Sequence, residues 1–81
     1  MHFREITEGE FRIYVGAMES PVGDGYTAAL VVRHRAAAQG RDAFHDDRLA
    51  CGHRWASADE ALGYALRKGR EFVRGRQPVT A

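Results

Sequence analysis

The stretch His45-Asp46-Asp47-Arg48-Leu49-Ala50-Cys51-Gly52-His53 gathers two histidines, two aspartates and the sole cysteine of the chain into nine residues. These are the residue types that ligate zinc or, as a Cys-His pair, attack a carbonyl carbon. Spacing argues against both. A zinc site needs three or four donors within about 2.0 to 2.3 Å of one point, whereas His45 and His53 on an unbroken strand would stand roughly 26 Å apart. Cys51 and His53, two apart on a strand, would point in parallel from positions ~6.5 to 7 Å apart, too far for the hydrogen bond a catalytic dyad requires. The chain has no second cysteine and no C-x-x-C or H-x-x-x-H spacing. The expectation is a protein without metal, cofactor or catalytic residues, and not an enzyme. Phe44 and Leu49 have opposite parity and both favour burial, so the chain is expected to turn at Asp46-Asp47, whose carboxylates then bond local backbone N–H groups. Beyond that turn, parity assigns Leu49, Cys51, His53 and Trp55 to the core side, where a lone cysteine acts as a small hydrophobe.

The elements that position this stretch must come from a small chain. Eighty-one residues make one domain, because so short a chain buries only about 60% of its unfolded surface. The hydrophobic fraction is 44%, but 13 of those residues are alanine and only 12 are Val, Ile or Leu. The core is thin, and a homodimer that buries more surface is an expected remedy. Charges at Arg4, Glu5, Glu8 and Glu10 do not match the pattern of a secretory signal, and none is expected. The longest apolar run, Ala28 to Val32, is far below the ~20 residues that span a bilayer. A cytoplasmic, membrane-free protein is expected, and eleven arginines against one lysine suggest a GC-rich bacterial source. Residues 1–25 carry a net charge of −3 and residues 26–81 one of +4. A total so near neutral does not argue for strong non-specific nucleic-acid binding.

The last element is the clearest. Ser57-Ala58-Asp59-Glu60 reads as a capping box that starts a helix. Ala61, Leu62, Ala65, Leu66, Gly69, Phe72 and Val73 follow on one stripe of it. Gly75 is expected to end the helix, with residues 76–81 a flexible tail. In Phe11 to Met18 the period changes to two, placing Phe11, Ile13, Val15 and Ala17 on one face. Pro21, Gly23, Asp24 and Gly25 then reverse the chain into a second strand, whose Tyr26, Ala28, Leu30 and Val32 share a side. A loop over 36–42 leads to a third strand within 43–55. Phe3 and Ile6 add a flanking piece of unassigned type. The fold class is α+β: a two-layer domain over 1–75 with a three-stranded antiparallel sheet and one C-terminal helix, in the order β-β-β-α.

If the helix covers the apolar side, alternation leaves Arg12, Tyr14, Thr27, Val31, Arg33, Arg35, Arg48 and Arg54 on the open side of the sheet. The candidate binding residues are Arg12, Tyr14, Val31, Arg33, Arg48 and Arg54. Three uses compete for such a face: plain solvation by arginine stems, association with a protein or a second copy, or stacking and phosphate pairing with single-stranded nucleic acid.

The segment from Leu49 to Ala61, with Leu49, Cys51, Ser57, Glu60 and Ala61 in place, resembles the end of HicB-type antitoxin domains, and the order β-β-β-α agrees. The Pro-Gly pair usual before the cysteine in that family is absent. The chain also resembles small single-domain bacterial proteins that begin with a β-hairpin and end in an "EA..YA...GR..V" helix, here Glu60-Ala61, Tyr64-Ala65, Gly69-Arg70 and Val73. The second resemblance covers nearly the whole length and implies a fold without an activity. The first implies a nucleic-acid-associated module.

Loss of the cap in Ser57→Ala is expected to cost about 1 kcal/mol in denaturant unfolding, against about 2 to 4 kcal/mol for Leu66→Ala if the stripe packs on the sheet.

Overall fold

The computed structural model describes residues 2–35 and 42–76. The class is α+β as expected, but the antiparallel sheet has four strands rather than three. They are β1 (His2–Glu8), β2 (Phe11–Glu19), β3 (Tyr26–His34) and the short β4 (Asp42–Asp46), side by side in chain order. A four-residue turn labelled α1 (Leu49–Gly52) precedes the long helix α2 (Ala58–Arg76). No described helix is long and apolar enough to cross a membrane.

The additional strand is β1, the segment left unassigned above. Its hairpin with β2 closes through the two residues Gly9-Glu10, and Glu8 pairs with Phe11. Gly9 has φ +59°, the left-handed start that a tight Gly-X hairpin turn requires. The second hairpin is wider. The backbone N–H of Ser20 donates to the Gly25 carbonyl at 2.8 Å and that of Gly23 to the Ser20 carbonyl at 2.9 Å, which closes the β2–β3 loop.

Strand alternation sorts the sheet into two faces. Phe11, Ile13, Val15 and Ala17 of β2 and Ala28, Leu30 and Val32 of β3 are all buried under α2. From the helix, Ala61, Leu62, Ala65 and Val73 complete the core, with Phe44, Leu66 and Phe72 packed partly buried against it. Phe44 meets Phe72 at 5.3 Å between centroids, tying β4 to the helix. Leu66 is only partly buried while Leu62 is fully so. The deep position on the stripe therefore belongs to Leu62, and the larger truncation cost passes from Leu66 to Leu62.

The cap is formed as its sequence requires. Ser57 Oγ accepts the Glu60 backbone N–H at 3.2 Å and Glu60 Oε2 accepts the Ser57 backbone N–H at 3.1 Å. The helix does not stop at Gly75 but continues to Arg76, since glycine permits a helix end without imposing one. The expected tail at 77–81 and most of the expected loop lie outside the described residues.

Helix and sheet meet closest at Gly69. A Cβ there would stand 2.7 Å from Ile13 Cγ2 and 3.0 Å from Leu30 Cδ1, whereas one at the exposed Gly63 would meet nothing within 4 Å. The branched methyl of buried Ile13 has no room to retreat. Gly69→Ala therefore costs about 1 to 3 kcal/mol of overpacking, against a helix-propensity gain of about 1 kcal/mol. Gly63→Ala receives the gain alone. Urea unfolding is expected to show a lowered midpoint for Gly69→Ala and a raised one for Gly63→Ala; equal midpoints would mean the helix is not seated on Ile13.

Candidate functional site

The metal-like stretch is resolved by a turn. Asp46 Oδ1 accepts the Arg48 backbone N–H at 2.9 Å, and His45 Nε2 meets Asp47 Oδ1 at 2.7 Å. Each carboxylate thus satisfies a neighbour. Among the described residues, no three of His, Cys, Asp and Glu gather around one point.

Parity fails beyond this turn. Ala50, Cys51 and Gly52 have φ of +53°, +56° and +83°, three consecutive left-handed residues where a strand was expected. The two non-glycine residues each carry roughly 1 to 2 kcal/mol of backbone strain. Leu49 is buried, but Cys51 is exposed rather than on the core side. The His53 ring packs edge-on against Trp55 with centroids 4.6 Å apart. The chain rejoins the sheet only at Trp55, which exchanges two backbone hydrogen bonds of 2.8 Å with Tyr26. Residues 47–54 therefore form an excursion out of the edge strand.

That excursion takes two arginines off strand positions and sets them at the turn end of the sheet, in a cleft that also includes Met18 and Thr27 of the open face. Arg48 lies in the bend after β4, and Arg54 binds Asp24 Oδ1 at 3.1 Å and the Gly52 carbonyl at 2.9 Å. Both line an open cleft of about 780 Å³ between the excursion and the β2–β3 turn, with Glu19, Asp24, Asp47 and Cys51. Charges of both signs line it and largely cancel. The Ser20 hydroxyl holds the Asp24 carboxyl below its ordinary value of 3.8, against the raising effect of desolvation, and the Arg54 guanidinium adds to the lowering.

The sheet face away from the helix keeps Arg12, Tyr14, Val31 and Arg33, and gains Phe3. Phe3 of β1 and Tyr14 of β2 lie with their ring centroids 6.1 Å apart and their planes tilted by 33°. The Arg33 guanidinium lies 5.7 Å from the Tyr14 ring centroid, within range of a cation–π contact. Phe3, Tyr14, Val31 and Arg33 line a shallow depression of about 250 Å³. Phe3 is 61% exposed and Met18, on the same side of β2, 41% exposed. Arg12 and Arg33 stand directly opposite each other in the register, a repulsive placement. Glu5 relieves it by pairing with Arg12 at 3.5 Å. Arg35, at the end of β3, donates to the Gly9 carbonyl at 3.3 Å.

No family model, curated protein or solved structure matches this chain.

Phe3 is the site residue that sequence reasoning missed. The signal was the Gly9-Glu10 pair between two segments of strand composition, a short hairpin cue. Once β1 is paired, Phe3 falls opposite Gly16 and on the face of Tyr14.

A carboxyl held low in the folded state binds its proton less readily there than in the unfolded chain. Its contribution to stability is complete above the unfolded value and is lost as pH falls through the folded one. Carbon-detected NMR titration is expected to find Asp24 below 3.8, rising toward it in Ser20→Ala. An Asp24 midpoint unchanged by that substitution would remove the hydroxyl as the cause.

Proposed function

We propose that this chain is a non-catalytic protein-interaction module, and that its contact surface is the open face of the sheet centred on Phe3, Tyr14 and Val31. The observation that carries the reading is the pairing of exposed Phe3 with half-buried Tyr14 at 6.1 Å, beside the depression they line with Val31 and Arg33. Exposed aromatics clustered with an arginine are the composition of interaction hot spots. They are held on paired strands, so little ordering entropy is lost when they are covered.

The nucleic-acid alternative draws less support. Five arginines on one platform would suit phosphate contacts, but Arg48 and Arg54 share their cleft with Glu19, Asp24 and Asp47, Arg12 is paired with Glu5 and Arg33 lies against Tyr14. The acidic Glu5 on the same face repels phosphates. The resemblance to single-domain bacterial β-β-β-α proteins belongs to this proposal, and the HicB-type resemblance to the alternative.

Two measurements separate them. A photo-crosslinking amino acid at position 3 or 31 is expected to give protein adducts in cells that the same group at Val22, 80% exposed but off this face, does not give. Titration with a short single-stranded oligonucleotide is expected to show no binding. Binding that weakens with salt by a slope near −0.7 per phosphate contact, and that Arg12→Ala with Arg33→Ala abolishes, would establish the alternative instead.

A further inference from the structure

β1 ends the sheet. It is a seven-residue strand paired with β2 on one side and, among the described residues, with nothing on the other. In an antiparallel ladder, backbone groups of alternate residues point to opposite neighbours. The tight turn makes Glu8 and Phe11 the closing hydrogen-bonded pair, so Ile6 and Arg4 also bond inward to β2. Phe3, Glu5 and Thr7 then direct their N–H and C=O groups outward, a row that a further strand can satisfy.

We propose that the occupant is β1 of a second copy, paired antiparallel about a two-fold axis at Ile6, giving one eight-stranded sheet. The proposal does not rest on the reading of the open face. Antiparallel pairing of identical edges places the axis perpendicular to the sheet and both helices on one side, so residues that face each other must share parity. Four registers near the strand centre satisfy that condition, and charge selects among them. With the axis at Arg4 two arginines meet, and at Glu5 two glutamates meet. At Thr7, Ile6 is set against Glu8. With the axis at Ile6, the isoleucines meet each other, Arg4 faces Glu8 of the second copy twice over, and Glu5 faces Thr7. Those Arg4–Glu8 and Ile6–Ile6 pairs are the non-hydrogen-bonded ones, in which side chains approach most closely.

The helix side of the same register is also complementary. Within one chain Arg4 meets Asp59 at 3.6 Å and Glu8 meets Arg70 at 3.5 Å, all four side chains substantially exposed. Across the axis these become one row of alternating sign: Asp59, Arg4, then Glu8 and Arg70 of the second copy. A self-complementary patch of this kind is what a two-fold contact demands.

Sedimentation equilibrium of the full chain is expected to give twice the monomer mass. Arg4→Glu and Glu8→Arg alone place like charges opposite each other, and each is expected to be monomeric. Mixing them restores opposite charges at both positions, so native mass spectrometry is expected to show a 1:1 heterodimer. Thr7→Pro removes an outward donor while leaving the β2 bonds intact, and is expected to be monomeric with unchanged circular dichroism. Ile6→Cys in a Cys51→Ala background is expected to oxidise to a covalent dimer where Thr7→Cys does not. Val31→Asp, on the open face, is expected to stay dimeric. A monomeric wild type, a mixture that does not associate, or a dimer that survives Thr7→Pro yet is lost on Val31→Asp overturns the proposal.

Discussion

The seating of α2 on Ile13 and Leu30, close enough that residue 69 has space only for a hydrogen atom, decides which half of every strand is buried. Once that contact is made, period-two geometry leaves no choice for the other half. Phe11, Val15, Ala28 and Val32 go inward with Ile13 and Leu30; Arg12, Tyr14, Val31 and Arg33 go outward. The core is shallow because the approach is close: alanine at 17, 28, 61 and 65 suits a gap that larger side chains would prop open. A thin core and an open aromatic face are two results of one packing distance.

The parts legible in the sequence are those where a single local rule acts without interference. Ser57 and Glu60 form their reciprocal cap because both partners lie within one turn of helix. β2 and β3 read clearly because each is buried on one side only, so apolar and polar residues alternate. β1 was harder. Phe3 and Ile6 have opposite parity, since at the sheet margin neither face is fully covered and a hydrophobic residue is tolerated on each. The candidate face was half legible: alternation orders the residues of β2 and β3, whereas Arg48 and Arg54 lie in an irregular segment to which alternation does not apply and line the cleft beside Met18 and Thr27. Nothing in Ala50 or Cys51 signals left-handed backbone. Only Gly52 does, and a lone glycine is compatible with a strand bulge.

The electrostatics follow a similar pattern of local settlement. Arg12 with Glu5, Arg54 with Asp24, Arg4 with Asp59 and Arg70 with Glu8 pair basic groups with acidic ones brought near by strand pairing and helix packing. Each such pair is exposed and contributes at most about 1 kcal/mol. Their combined effect is on character more than stability: at these four positions the positive charge is offset by a neighbouring carboxylate.

The excursion at 47–54 makes the two margins of the sheet unlike. On the β4 side, a five-residue strand gives way to the turn at Asp46-Asp47, and the register with β3 already shifts between Val32 and Arg33. A neighbouring chain laid along that margin would find its ladder interrupted almost at once. The β1 margin has no such interruption. A sheet with two good margins can add copies at both ends and grow without limit, as fibrils do; a sheet with one can accept a single neighbour and is then finished. The irregular stretch that resembles a metal site by composition thus works as a stop against polymerisation, making any edge-to-edge assembly of this chain a closed one.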